Sequence, residues 1–188
     1  MNFVDLDFID KCISQLANCT EKDRPFTRLV FSDEFIQGRV WLTQKFKELN
    51  LITKVDEAGN LVGIYKSSTN ASKKILIGSH IDTVVCGGKY DGIAGVISGL
   101  AIIKSLSDND IELPFDIEVY DYLGEELNDW NMSCIGSRGI CGALSEEMLN
   151  SKNTKGLQCL YAINNEAYNN YIKIGSTTTP ERRKLDYK

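Results

Sequence analysis

Gly78-Ser-His-Ile-Asp-Thr-Val-Val-Cys-Gly-Gly-Lys-Tyr-Asp-Gly92 joins two stretches of different character. Before it, Lys74 to Ser79 (KILIGS) is a short apolar run compatible with a buried strand. After it, Gly92 to Leu106 reads as a helix carrying Gly92, Gly95 and Gly99. A glycine in a helix costs about 1 kcal/mol against alanine, so another element must pack very close there. His80 and Asp82 stand at i and i+2 at the strand end and share a face if the strand persists. A neutral imidazole is a good ligand for zinc or a similar metal. A carboxylate beside it holds its other N–H and fixes the tautomer, which makes His80 the candidate ligand and Asp82 its orienter. Asp91 follows a Gly-Gly turn at the mouth of the helix, where a carboxylate is well placed to bridge two cations.

Outward from this window, strands alternate with helices, the pattern of a layered α/β domain. Upstream, Phe3 to Leu16 has apolar residues at helical spacing, and Ser32 caps a second helix, Ser32–Leu49. Strands Leu51–Val55 and Leu61–Lys66 follow, split by a turn at Glu57-Ala-Gly-Asn60. Downstream, Phe115–Leu123 is a strand, and Tyr122-Leu-Gly-Glu-Glu-Leu127 lies at its C-terminal end, where open α/β sheets place ligand sites. Of two adjacent glutamates there, Glu125 and Glu126, one can coordinate a metal while the other takes a proton from water that the metal has acidified. A loop to Ser137 and short helical pieces to about Tyr171 complete the reading. Glu146-Glu147 reads as a solvated surface pair. Residues 1–175 are assigned to one domain and 176–188 to a disordered tail without apolar periodicity.

The 188 residues are 43% hydrophobic and 25% charged, an ordinary globular composition. A net charge of −5 with no Lys/Arg-rich run argues against nucleic acid as a partner. The longest uncharged apolar stretch, Gly92 to Ile103, is far short of the roughly 20 residues that span a bilayer, and the N-terminus is acidic where a secretory signal is basic. The expectation is a cytoplasmic protein with no membrane partner and six reduced cysteines, none in a CxxC pair. His80 is the sole histidine, which excludes any mechanism needing two from one chain.

Asp33-Glu34, Asp56-Glu-Ala-Gly-Asn-Leu61, Gly78-Ser-His-Ile-Asp-Thr-Val84, Gly87-Gly-Lys-Tyr-Asp-Gly-Ile-Ala-Gly95, Glu125-Glu126 and Gly136-Ser-Arg138 run in a characteristic order and spacing. Together they resemble the N-carbamoyl-L-amino acid hydrolase, allantoate amidohydrolase and β-ureidopropionase family, dinuclear metal-dependent amidohydrolases related to aminoacylases. The resemblance is clear from Thr27 to Gly142. It implies a three-layer, mixed-sheet metallohydrolase catalytic domain, truncated here and without the smaller dimerisation and lid domain through which family members form homodimers. It implies His80 and Glu126 as terminal ligands of different metals, Asp91 as the bridging carboxylate, Glu125 as general base and Asp82 as the partner of His80. Two divalent metals per site are implied, Zn or Mn, with Co and Ni also suited to such ligands. A cis peptide after Asp91 is implied as well.

The substrate implied is a small N-carbamoyl or ureido compound, cleaved at a linear C–N bond. Where most members have Glu-Glu-Gly-x-Arg-Phe, this chain has Glu125-Glu-Leu-Asn-Asp-Trp130, a departure that bears on substrate preference rather than on the metals. The alternative reading is a non-catalytic half-domain that binds a partner through an open sheet edge.

Overall fold

A computed structural model describes residues 3–69, 72–145, 148, 159–165 and 171–177. The chain divides into two units, Met1–Lys54 with Leu61–Asp121, and Val55–Asn60 with Tyr122–Lys188.

In the first unit, helix α1 (Leu6–Ala17) begins where the Asp5 carboxylate accepts the Phe8 N–H at 2.9 Å. This cap moves the start from the expected Phe3 to Leu6 and leaves Phe3 and Val4 exposed. Helix α2 (Asp33–Glu48) is capped as expected, Ser32 Oγ accepting the Phe35 N–H at 3.1 Å, a contact worth about 1 kcal/mol. Asp33 and Glu34 in its first turn and Lys45 and Lys47 in its last complement the helix dipole.

Strands β1 (Ile52–Val55), β2 (Leu61–Tyr65), β3 (Lys74–Ser79) and β4 (Asp116–Asp121) form one sheet in the order β1-β2-β4-β3. β4 runs antiparallel to β2 and parallel to β3, so the sheet is mixed, as the family resemblance implies. Helix α3 (Ile93–Asp108) is the crossover that a parallel pair requires. The close approach expected at its glycines is present: a Cβ on Gly99 would stand 3.0 Å from Val119 and 3.3 Å from Ile77. A Cβ on Gly63 would meet the Phe46 ring of α2 at 2.7 Å, and Gly63 is the register partner of Val119. Helices α2 and α3 therefore cover the same face of the sheet. On the opposite face Glu118 accepts from Lys74 Nζ at 3.1 Å and from the Tyr120 hydroxyl at 3.0 Å.

Arg28 is buried in this unit, and its hydrogen bonds go to backbone carbonyls. Its Nε donates to Ile81 O at 2.6 Å, and its Nη1 to Leu16 O at 3.2 Å and Cys19 O at 2.7 Å. Burial lowers the guanidinium pKa, opposed by nearby Cys19, Asp121 and Asp82. One side chain thus ties the end of α1 to the segment that leaves β3. Arg28→Met keeps the bulk and strands three acceptors. It is expected to cost about 3 kcal/mol, read as a lower urea midpoint. A loss under about 0.5 kcal/mol would show that water replaces the guanidinium.

In the second unit, the turn Asp56–Asn60 and the segment after β4 lead into α4 (Ile135–Ile140). Of the short helical pieces expected up to Tyr171, α4 is present, but from Cys159 an antiparallel hairpin stands in their place, β5 (Cys159–Asn165) and β6 (Tyr171–Thr177), with Cys159 opposite Thr177. Asparagines at 164, 165, 169 and 170 favour turns over helix, and Tyr-Ile-Lys-Ile alternates as a strand does. β6 runs through Ser176 and Thr177. The rest of the expected tail, 178–188, and the Glu146-Glu147 pair lie outside the described residues. Cys12, Cys19, Cys86, Cys134 and Cys141 are free thiols. Among the described residues no helix is long and apolar enough to cross a membrane.

Candidate functional site

In the first unit the chain leaves β3 at Ser79 and is pinned at once. The Ile81 N–H donates to Asp121 Oδ1 at 2.9 Å, and Asp121 Oδ2 accepts from Arg39 Nε at 2.8 Å. Burial pushes the Asp121 carboxyl up from its ordinary value, while Arg39 and the Ile81 N–H pull it back. This anchor fixes the backbone on which His80 stands.

His80 Nδ1 lies 2.9 Å from the backbone carbonyl oxygen of Asp82. A carbonyl oxygen only accepts, so Nδ1 is the donor in this contact, and Nε2 is the ring nitrogen left to face a metal. The Asp82 carboxylate stands farther from Nδ1, at 3.7 Å. Residue 82 sits beside the ring, as the sequence implies, with its carbonyl making the shorter contact because the strand has ended and the i, i+2 alternation no longer holds. His80 Nε2 lies 3.9 Å from Asp91 Oδ1. A cation with bonds near 2.1 Å can join donor atoms up to about 4.2 Å apart, so imidazole and carboxylate fit a shared metal. Gly92 closes the corner: at φ +66° its absent Cβ would lie 2.5 Å from the His80 ring, so a side chain there would displace the imidazole. The Asp91–Gly92 peptide is trans, correcting the expected cis bond, and the chain turns through the positive φ of Gly92 instead.

Glu125 and Glu126, both half-buried, belong to the second unit. Their loop is zipped at its base: Cys134 N–H to Glu125 O at 2.9 Å, Ile135 N–H to Gly124 O at 3.0 Å, and Gly136 N–H to Leu123 O at 2.7 Å. Asn60, fully buried, clamps both sides of that zip. Its Oδ1 accepts the Leu123 N–H at 2.9 Å, and its Nδ2 donates to Gly136 O at 3.3 Å and Asp56 Oδ2 at 2.9 Å. Asp56 Oδ1 in turn accepts the N–H groups of Ala58 and Asn60. Cys134, left-handed at φ +57°, places Sγ 3.7 Å from Glu125 Oε1. Sequence reading alone took Glu57–Asn60 for a turn and gave Cys134 no role at the site. The motif Asp56-Glu-Ala-Gly-Asn-Leu61 was the available signal for the clamp.

The fold and its donor-bearing motifs define a portion of a hydrolase catalytic domain. No family model matches the chain. It is 32% identical over 150 residues to a ureidoglycolate hydrolase of Oryza sativa subsp. japonica, covering 79% of this chain and 31% of that protein. It is 34% identical over 128 residues to an N-carbamoyl-L-amino-acid amidohydrolase of a Pseudomonas species, covering 68% and 31%. A hydantoinase/carbamoylase family amidase of Burkholderia ambifaria superposes with a TM-score of 0.74 at 27% identity, covering 81% of this chain and 38% of the other. The chain belongs to this family of amidohydrolases acting on ureido and N-carbamoyl compounds, and it spans about a third of the length of the curated relatives it matches.

Proposed function

We propose that the chain is part of a metal-dependent amidohydrolase that cleaves a linear C–N bond in N-carbamoyl amino acids or ureido compounds such as allantoate. The observation that carries this reading is the setting of His80, whose Nδ1 donates to the Asp82 carbonyl and whose Nε2 lies 3.9 Å from Asp91. In this reading, which the family resemblance supports, Glu126 is a further carboxylate ligand, and one imidazole with carboxylates suits Zn, Mn, Co or Ni. When bound, a divalent metal acidifies water and polarises the scissile carbonyl. In this reading Asp82 holds the Nδ1 proton of His80, and Asp91 sets the carboxylate opposite Nε2. Glu125 takes a proton from water at its carboxylate and hands it to the leaving nitrogen.

Metal content after dialysis, measured beside ammonia release from N-carbamoyl amino acids and allantoate, tests this. The 188 residues alone are expected to hold metal weakly or singly, with negligible turnover. Two metals sharing this donor set would have about two protein ligands each, where a catalytic zinc has about three. Two tightly held metals with turnover near ~10 s⁻¹ would refute the ligand count. Failure to bind any of the four metals would refute the site.

The second reading, a half-domain that pairs through its sheet, rests on β3. That strand stands at one edge of the four-stranded sheet and leaves Ile75 and Leu76 each 45% exposed. Self-association abolished by Ile75→Lys, with no metal uptake, would favour it.

A further inference from the structure

Within the first unit, the β3–β4 ladder ends at the pair Ser79 and Asp121. Two residues on, the Ile81 N–H meets the Asp121 side chain instead, at 2.9 Å from Oδ1. The carboxylate adds one rung where the backbone pairing has stopped. On the other side, the Ile81 carbonyl accepts from Arg28 Nε at 2.6 Å. Both polar groups of residue 81 are therefore held by buried charged side chains, and its own side chain is fully buried. Residue 81 separates the two partners of the 2.9 Å contact, His80 Nδ1 and the Asp82 carbonyl oxygen. A peptide held rigidly between them sets how the imidazole stands.

An acceptor for the Ile81 N–H needs no charge, since an asparagine oxygen would serve. A carboxylate with no exposed surface carries a desolvation cost as well. Arg39 of helix α2 offsets that cost and uses the charge. Its Nε donates to Asp121 Oδ2 at 2.8 Å, and its Nη2 to the Asp121 carbonyl at 3.3 Å. Its guanidinium carbon lies 4.8 Å from the centre of the buried Phe35 ring, which steadies the fork in turn. With both oxygens engaged, one by Arg39 and one by Ile81, the carboxylate is locked against rotation, and the charge-assisted bond to Arg39 is the stronger kind.

We propose that Asp121 is a positioning residue for the His80 imidazole, tethered by Arg39, and that this clamp tunes the affinity of the site for a divalent cation. The proposal rests on the reading of His80 as a metal ligand and adds the residues that stand behind it. Partners behind a metal-bound imidazole are worth roughly 10- to 100-fold in metal affinity.

His80 is the sole histidine, so every imidazole signal in the NMR spectrum of the untagged 188-residue chain belongs to it. The test follows those signals at about pH 8, where an ordinary imidazole is neutral, first without metal and then during titration with zinc. The wild-type ring is expected to carry its proton on Nδ1, the donor to Asp82. Asp121→Asn should mix the two tautomers and raise the zinc dissociation constant about tenfold. Arg39→Gln should do the same more weakly, with Arg39→Lys recovering part of the loss because the charge stays. Asp116→Asn is the control. It breaks the ion pair with Lys66, at 2.7 Å, at the other end of β4, and should leave tautomer and zinc affinity unchanged whatever it does to stability. Arg39→Gln leaves the buried position intact and keeps the test sound if Asp121→Asn fails to fold. Zinc affinity within about twofold of wild type and an unchanged tautomer in these variants overturn the proposal, as does an equal loss in Asp116→Asn. If the wild-type chain shows no response to zinc, the metal reading fails, and the tautomer decides the clamp alone: a mixture in Asp121→Asn supports it and an undisturbed Nδ1–H overturns it.

Discussion

Gly136→Ala is expected to destabilise the second unit by roughly 4 kcal/mol, the sum of overpacking and of severed buried hydrogen bonds. A Cβ at that position would fall 1.8 Å from Asn60 Oδ1 and 2.5 Å from the Leu123 backbone nitrogen. Neither neighbour can give way cheaply. Leu123 is held by the Gly136 N–H and by Asn60, and Asn60 is held by Asp56. Urea unfolding followed by Trp130 fluorescence, in a Trp41→Phe background, reports this unit. Because Asn60→Ala makes room for the new methyl, the double variant should lose clearly less than the two single losses added together. Strict additivity, or a Gly136→Ala loss below about 1 kcal/mol, would mean that the loop base is softer than its hydrogen bonds indicate.

Glu125→Gln is expected to lower kcat by about 100-fold or more in any form of the protein that turns over, the usual contribution of a positioned general base. The amide preserves shape and the backbone bond to Cys134, so metal content should hold. Glu126→Gln should do the reverse and weaken metal retention, since a neutral amide is a poorer ligand than a carboxylate. Near-normal turnover in Glu125→Gln would remove it from the chemistry. Equal metal loss in both variants would mean that the adjacent glutamates do not divide the two roles.

How much of this was legible in the sequence varies by element. Lys74–Ser79 emerges as β3 with the expected bounds because apolar content and length agree, but as an exposed edge strand rather than the buried one its apolar run suggested. Ser32 announces α2 because a cap is a local interaction between residues three apart. The insertion of β4 between β2 and β3 was not legible, since strand pairing is non-local and no short window encodes it. The glutamate pair was visible, but the buried Asn60 that fixes its loop was not. Its partners Leu123 and Gly136 lie 63 and 76 positions away. At His80, residue types pointed to the right neighbour, Asp82, while the oxygen making the shorter contact with the ring depended on where the strand stopped. The β5–β6 hairpin was missed where asparagine-rich turns outweighed helical spacing.

The sheet order also constrains how the chain acquires its shape during synthesis. Strand β4, central in the order β1-β2-β4-β3, is the last of the four to be made. Tyr65 pairs with Ile117 and Leu61 with Asp121, so β2 gains this neighbour only after more than fifty further residues exist. Until then β2 and β3 present unpaired edges and apolar side chains to their surroundings, a state that invites misassociation. The central position of β4 thus makes folding slow and all-or-none for this unit. A nascent chain halted before Phe115 should be handled by the cell as unfolded, whatever the local strength of its helices.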